Sequence, residues 1–145
     1  MTAREQAMGT PTGIPDGFVA VEPDDPFEGV IGVCWYNDMG DGRIEVGVLA
    51  DERHANEYGW VHGGVMMTMA DAALCMNSRW HDPAEGAITV SANSNFVAGA
   101  RIGDFLETQT RVVRRTRQFS FVSCEVVVGD RVCLTSSGVI KRLLP

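Results

Sequence analysis

Alternating apolar and polar positions predict two strands in the first third of the chain. VIGVCWY, residues 30–36, is rich in β-branched and aromatic side chains, and RIEVGVL, residues 43–49, alternates polar with apolar ones. The cluster NDMGDG between them, residues 37–42, is typical of a turn. We therefore expect a β-hairpin, followed by a polar loop over residues 50–60.

One helix is predicted, from about Gly64 to Trp80, and it is apolar on every face. Between Gly64 and Met76 the only polar residues are Thr68 and Asp71. Such a helix is either embedded in a membrane or buried in a core. At about 25 Å it is too short and too often interrupted to span a bilayer. We expect it to be buried, with Thr68 returning its hydroxyl to the carbonyl one turn back.

Four strands are predicted after the helix, at residues 88–96, 105–114, 119–128 and 131–140. A Gly-Asp turn joins the last two. The pattern of the first places Thr89 on the polar face of that strand. Its expected apolar face comprises Ile88, Val90, Ala92 and Phe96.

The predicted order β-β-α-β-β-β-β defines an α+β fold in which an antiparallel sheet wraps around one long central helix. Short loops between successive strands favour antiparallel pairing. Because a sheet covers a helix on one side only, we expect a second subunit to cover the rest. The length of 145 residues suits one domain, predicted over residues 18–145, with residues 1–17 as a flexible N-terminal tail.

Composition narrows the choice of compartment and partner. The chain is 45% hydrophobic, and its N-terminus lacks the apolar stretch of a secretory signal. The four cysteines stand in apolar runs with no C-x-x-C pair, which is typical of small buried side chains. We expect a cytoplasmic protein without a membrane partner.

Charge is distributed unevenly along the chain. The net charge of −7 argues against a nucleic-acid partner. Residues 1–100 hold 15 acidic residues and 4 arginines, whereas residues 101–145 hold 8 basic residues and 4 acidic ones. Four arginines lie within seven positions: Arg111, Arg114, Arg115 and Arg117. This arginine cluster is either a solvated turn or a phosphate-binding patch.

Asp71 is the first candidate for chemistry. A carboxylate in the middle of a buried apolar helix costs several kcal/mol, roughly, unless it is paired or hydrogen-bonded. It either faces a polar seam or an arginine of a partner chain, or it is a functional carboxylate.

The sequence His62-Gly63-Gly64 stands at the start of the helix. The first backbone N–H groups of a helix have no internal partner and carry partial positive charge, so they suit a carbonyl oxygen that becomes an oxyanion. Alternatively, the two glycines only permit a tight turn. His62 and Asp71 are nine residues apart, about 13.5 Å and on opposite sides of a helix. If both belong to one site, Asp71 must come from a neighbouring subunit.

Three segments together carry a family resemblance. Asn56, HGGVMMTMAD over residues 62–71 and TVSANSNFVAGARIGD over residues 89–104 resemble the hotdog-fold acyl-CoA thioesterases, in particular the phenylacetic-acid-pathway, PaaI-like group. The resemblance covers roughly residues 30–142. It implies a hotdog fold and hydrolysis of an acyl-CoA to CoA and a carboxylic acid.

The resemblance also implies roles for single residues. Asp71 matches the family's catalytic carboxylate, a general base or nucleophile, and Gly63 matches the residue whose N–H polarises the thioester carbonyl, with Gly64 beside it in substrate binding. Asn56 resembles the amide that holds the attacking water. His62 resembles the histidine that orients the site or assists the leaving thiolate.

Thr89 falls where relatives carry a hydroxyl near the carboxylate. CoA carries several phosphates, and the resemblance assigns them to the arginine cluster, with Arg114, Arg115 and Arg117 as candidates.

No cofactor or metal is expected, because His54, His62 and His81 lack ligand spacing. A homodimer is the minimum unit that we expect, and the family implies a homotetramer. The alternatives are a non-catalytic acyl-CoA sensor, a hotdog dehydratase (although the FPG-type sequence of those relatives is absent after the histidine) and a purely structural oligomer.

Overall fold

A computed structural model describes residues 13–79 and 86–144 of the chain. A seven-stranded sheet with the order β1-β2-β3-β5-β6-β7-β4 carries two helices, and every strand pair in it is antiparallel. The strands are β1 Val19–Ala20, β2 Trp35–Asp38, β3 Ile44–Leu49, β4 Gly86–Phe96, β5 Phe105–Arg115, β6 Phe119–Val128 and β7 Arg131–Leu143. The helices are α1 Pro26–Ile31 and α2 Gly63–Ser78, and a 3-10 turn spans Glu52–His54.

The hydrophobic core lies between α2 and the concave face of the sheet. Met69 and Leu74 of the helix are completely buried. The sheet approaches the helix so closely at Gly138 that a β-carbon there would lie 2.9 Å from Leu74 Cδ1. The sheet contributes Val46, Val48, Leu106, Val122, Val126, Leu134 and Ile140 to the same cluster. The predicted architecture of one buried helix in an antiparallel sheet is confirmed.

The helix α1 corrects the strand predicted for residues 30–36. Asp25 caps the helix by accepting the N–H groups of Phe27 and Glu28, and Pro26 occupies a first-turn position where its missing N–H costs nothing. Gly32 ends it in a left-handed conformation with φ +80°. The strand therefore begins only at Trp35. The short strand β1 was also not predicted.

A β-bulge in β4 corrects the predicted faces of that strand. The pairing of β4 with β7 shifts register between Thr89 and Ser91. The shift reverses the alternation, so that Thr89 contacts the helix, and Ala92 beyond the bulge also lies on the helix side. Phe96 lies against Gly63, whereas Ile88 is exposed. The predicted apolar face of residues 88–96 is thus divided between both sides of the sheet.

A buried polar network joins β3 to β5 and to the end of α2. The side chain of Asn77 accepts the N–H of Ile44 at 2.9 Å and donates to its carbonyl at 2.8 Å. Glu45 is 4% exposed and accepts hydrogen bonds from Thr108 and Thr110. Burial raises the pKa of the Glu45 carboxyl despite these donors. At Glu45, side-chain hydrogen bonds thus join β3 to β5 beyond the residues where the backbones of these two strands pair.

The remaining expectations concern smaller features. Thr68 donates to the carbonyl of Gly64 at 2.8 Å, as predicted. None of the four cysteines forms a disulfide, and Cys124 and Cys133 are buried. No helix in the described ranges is long and apolar enough to cross a membrane. The predicted tail lies outside the described residues up to position 12, as do Trp80 and His81.

Candidate active site

The N-terminus of α2 presents one unpaired backbone donor. His62 caps the helix because its Nδ1 accepts the N–H of Gly64 at 2.8 Å, and its carbonyl accepts the N–H of Val65 at 3.0 Å. Within the described chain, the N–H of Gly63 has no hydrogen-bond partner. The helix dipole gives this N–H partial positive charge. It can therefore donate to a carbonyl oxygen on which negative charge develops.

Asn56 shapes the loop that leads to this donor. Its side-chain oxygen accepts the N–H groups of Tyr58 and Trp60 at 2.9 and 3.1 Å. Val61 then donates to the carbonyl of Ala100 at 2.9 Å, which anchors the end of the loop to the sheet side of the molecule. Because its oxygen is used in the loop, the amide NH₂ is the part of Asn56 that suits a substrate or a water.

A buried histidine links this loop to α1. His54 is 3% exposed. Its Nδ1 accepts the N–H of Asp51 at 2.9 Å, so Nε2 carries the proton and donates to the carbonyl of Ile31 at 2.5 Å. The carbonyl of His54 in turn accepts the N–H of His62 at 2.7 Å. His54 thus has a structural role that fixes the approach to the helix.

Asp71 lies in the third turn of α2 and, within one chain, is exposed. The expectation of a buried carboxylate is wrong for the single chain, because the sheet covers the opposite side of the helix. Oδ1 of Asp71 accepts a hydrogen bond of 2.6 Å from the hydroxyl of Thr89. That short contact is typical of a hydroxyl that donates to an ionised carboxylate. The structure therefore brings Asp71 and Thr89 together, whereas Gly63 lies two helical turns away.

A cleft of about 330 Å³ opens beside Asp71 between α1, α2 and the sheet. Met67, which is 48% exposed, contributes an apolar side chain to it. The rest of its wall consists of Asp25, Phe27, Glu28, Thr68, Ala92, Ser94 and Ser136. A second cavity of about 320 Å³ continues along α2 and shares Asp25 and Glu28 with the first.

The wall formed by α1 is acidic, and sequence reasoning missed it. Burial raises the pKa of Glu28, and the charges of Asp25 and then Asp71 raise it further, against a hydrogen bond from Tyr36 that lowers it. Burial also raises the pKa of Tyr36 to about 12, with Glu28 adding to the effect. The available signal was the Asp-Pro helix start at residues 25–26, which places Glu28 in the first turn.

The arginine cluster divides into two groups. Arg115 donates through Nε to the carbonyl of Ser78 at 3.2 Å and through Nη2 to that of Asn77 at 3.1 Å. These bonds tie it to the C-terminal end of α2, a role that the sequence did not indicate. Arg114 and Arg117 are exposed at the turn between β5 and β6. The cluster therefore lies at the opposite end of α2 from Gly63.

The described residues, 13–79 and 86–144, contain no group of three or more His, Cys, Asp or Glu side chains placed to hold a metal ion. The site consists of a backbone donor at a helix start, a carboxylate with its hydroxyl partner, and a cleft with an acidic wall.

An antiparallel sheet wrapped around one long helix defines a hotdog fold. The chain belongs to the thioesterase superfamily, whose family model matches residues 58–135. It is a thioester hydrolase.

Two relatives cover most of the chain. The chain is 30% identical over 127 residues to a Pseudomonas aeruginosa protein that is named provisionally as an esterase. The aligned region covers 87% of this chain and 95% of that relative. The chain is 22% identical over 100 residues to human acyl-coenzyme A thioesterase 13. This aligned region covers 69% of the chain and 71% of the human protein.

Solved structures share the fold. The Escherichia coli PaaI protein of the phenylacetic acid degradation operon matches with a TM-score of 0.75 and 19% identity, covering 83% of this chain and 86% of that one. A Streptococcus mutans protein bound to acetyl CoA matches with a TM-score of 0.67 and 20% identity, covering 74% and 86%. The expected PaaI-like hotdog architecture is confirmed.

The capping role of His62 makes a first prediction. His62→Ala removes the acceptor for the N–H of Gly64 and should lower the free energy of unfolding by about 1 kcal/mol. His62→Asn, whose side-chain oxygen can accept the same N–H, should stay within about 0.5 kcal/mol of wild type. Urea unfolding of the three proteins measures the difference. Equal losses in both variants would contradict the capping role.

Proposed function

We propose that this protein hydrolyses acyl-CoA thioesters in a site built by two copies of the chain. The observation that carries the proposal is Asp71, the one charged side chain of α2, which faces a cleft of about 330 Å³. The human relative is named for acyl-CoA hydrolysis, and the matching Streptococcus mutans structure holds acetyl CoA. These names support a CoA thioester as the substrate.

The proposed mechanism divides the work between one donor and one base. The N–H of Gly63 donates to the thioester oxygen and stabilises the negative charge that develops there. Asp71 either takes a proton from the water that attacks the carbonyl carbon or attacks that carbon itself. The C–S bond then breaks, and the electron pair leaves with the CoA thiolate. Where Asp71 itself has attacked, a water molecule then hydrolyses the acyl-aspartate anhydride, which releases the carboxylic acid and restores the carboxylate. The NH₂ of Asn56 and the Nε2–H of His62 are the donors available to orient the water and the leaving sulfur.

Helix geometry argues for two subunits in each site. Gly63 and Asp71 are eight residues apart in one unbroken helix, about 12 Å along its axis. A single carbonyl must lie near 3 Å from the donor and from the attacking group. The two roles therefore suit one substrate only when Asp71 comes from the second copy.

The edge strand β4 supports this assembly. It is 11 residues long and pairs with β7 on one side, and no other strand of the described residues pairs with its second edge. Val90 of this strand and Val97, one residue beyond its end, are each 58% exposed. Unpaired edges of this length are normally covered. A second copy pairing along β4 would extend the sheet and cover the exposed side of α2. The pairing of two such dimers into a tetramer remains a prediction.

Binding of the CoA phosphates is proposed for Arg114 and Arg117. Both are exposed, so their guanidinium groups suit phosphate oxygens. The donors of Arg115 that contact Asn77 and Ser78 serve the helix end instead. Of the three expected candidates, the proposed phosphate site therefore keeps Arg114 and Arg117 and leaves out Arg115.

The central test is Asp71→Asn. The amide oxygen can still accept a hydrogen bond from the hydroxyl of Thr89, so the protein should fold. Loss of the base or nucleophile should lower kcat about 100-fold or more. Thiol release from a panel of aryl- and fatty acyl-CoAs measures the effect. Wild-type turnover by the folded variant would remove Asp71 from the mechanism. Tight acyl-CoA binding by wild type without any turnover would favour the sensor.

Subunit complementation tests the shared site. Gly63→Pro removes the donor N–H at a helix position that tolerates proline, and Gly63→Ala controls for the added carbon against Phe96. Asp71→Asn and Gly63→Pro should each be inactive alone. Unfolded together and refolded as a mixture, they should recover about one quarter of the wild-type sites, since half of the dimers carry one intact pair. A mixture as inactive as its parents would place both residues in one chain.

The phosphate proposal makes a separate prediction. Replacement of Arg114 and Arg117 by Ala should raise KM for an acyl-CoA about 10-fold, because two charge-assisted contacts are lost. KM for the same acyl group on pantetheine, which lacks the nucleotide, should change less than about twofold. Steady-state kinetics with both substrates distinguishes the two results. Equal increases in KM would exclude a contact with the nucleotide end.

A further inference from the structure

Cys75 extends the hydrogen-bonded pair of Asp71 and Thr89 to three groups. It lies one helical turn after Asp71 and is half-buried. Its Sγ is 3.1 Å from Oγ1 of Thr89, and that oxygen is 2.6 Å from Oδ1 of Asp71. The sulfur therefore touches the hydroxyl that holds the proposed base.

Counting protons assigns a direction to these two bonds. A threonine hydroxyl carries one proton, and an ionised carboxylate only accepts. Since the Thr89 hydroxyl donates its one hydrogen bond to Asp71, the contact with Cys75 requires the S–H to donate to the hydroxyl oxygen. Burial raises the pKa of the Cys75 thiol. The hydrogen bond with Thr89 lowers this pKa and the charge of Asp71 raises it, but burial is the largest effect, so the sulfur keeps its proton. The chain of donors runs from thiol to hydroxyl to carboxylate.

We propose that Cys75 is a positioning residue for the reaction, acting through Thr89 on Asp71. The S–H occupies a lone pair of the Thr89 oxygen and thereby turns the hydroxyl proton toward the carboxylate. Asp71 is then held in one orientation against the cleft. This inference rests on the proposed function, in which Asp71 is the base or nucleophile.

Other ionisable groups also lie in the cavities next to Asp71. Asp25 and Glu28 of α1 line the same cleft, and the charge of Asp71 acts on Glu28. Arg79 at the end of α2 and Tyr36 of β2 line the adjoining cavity. These groups act through space and are the same in every variant described below. A double-mutant cycle between Cys75 and Thr89 therefore isolates the hydrogen-bonded chain.

The kinetic test uses four variants: Cys75→Ala, Cys75→Ser, Thr89→Val and the double variant Cys75→Ala/Thr89→Val. Cys75→Ala should lower kcat by about 3- to 10-fold, the range expected for one hydrogen bond, with KM within about twofold of wild type. Cys75→Ser, which restores a donor, should recover most of the loss. In the Thr89→Val background, Cys75→Ala should have no further effect on kcat.

Cys124→Ala is the matched control, since it removes a buried sulfur on β6, outside the site. Its kcat should equal that of wild type. Two results would overturn the proposal. One is a higher KM with unchanged kcat in Cys75→Ala, which would make the sulfur a lining group of the cavity. The other is a loss of kcat from Cys75→Ala that is equal in the wild-type and Thr89→Val backgrounds.

Urea unfolding of wild type, Cys75→Ala, Thr89→Val and the double variant tests the hydrogen bond without any substrate. The unfolding constants should show coupling of about threefold or more between Cys75 and Thr89. Additive effects would mean that the two side chains do not interact, which overturns the inference. If wild type hydrolysed no acyl-CoA, the proposed function would fail, whereas this cycle would still decide whether the thiol and the hydroxyl are joined.

Discussion

The burial of α2 is the constraint on which the rest of the molecule depends. Its side chains are apolar in every direction, so each side must lose contact with water. The sheet covers one side and packs closely enough to exclude a side chain at Gly138. On the other side Met67 remains half exposed, next to Asp71. The uncovered part of the helix is therefore also the part that carries the candidate chemistry.

Polar groups of the same helix are satisfied in different ways. Asn77 completes the backbone hydrogen bonds of β3 at Ile44. The carbonyls of Asn77 and Ser78 accept the guanidinium of Arg115. Asp71, the charged side chain of the helix, lines a cleft and has a hydroxyl as its partner. This contrast separates groups that hold the fold together from the one available to a substrate.

Much of the fold could be predicted, because its main elements have strong local patterns. The apolar run after the His-Gly-Gly sequence, the alternation in β3 and the turn before β7 are all visible in the sequence. The helix α1 was missed because VIG, residues 30–32, is rich in apolar residues that suit a strand, although Asp25 and Pro26 are a helix start. The bulge in β4 was missed because pairing with β7 decides it, and nothing in the alternation indicates it.

The candidate site was predictable in its residue types more than in its arrangement. Asp71 stands out as a charge within an apolar run, and Gly63 as a helix start. The acidic wall at Glu28 depends on how α1 packs, and the engagement of Arg115 depends on where β5 ends relative to α2. Both are tertiary facts, which spacing along the chain does not contain.

The buried imidazole of His54 has a mechanical consequence. One ring nitrogen holds the end of α1, and the backbone of the same residue holds the loop that enters α2. The acidic wall of the cleft and the donor at Gly63 are thereby connected through one residue, by its ring on one side and by its backbone carbonyl on the other. A movement of α1 that widened the cleft would pull on the loop before Gly63. In the proposed two-copy site, Asp71 and Gly63 of one chain would serve different substrates, and their surroundings would then open and close together.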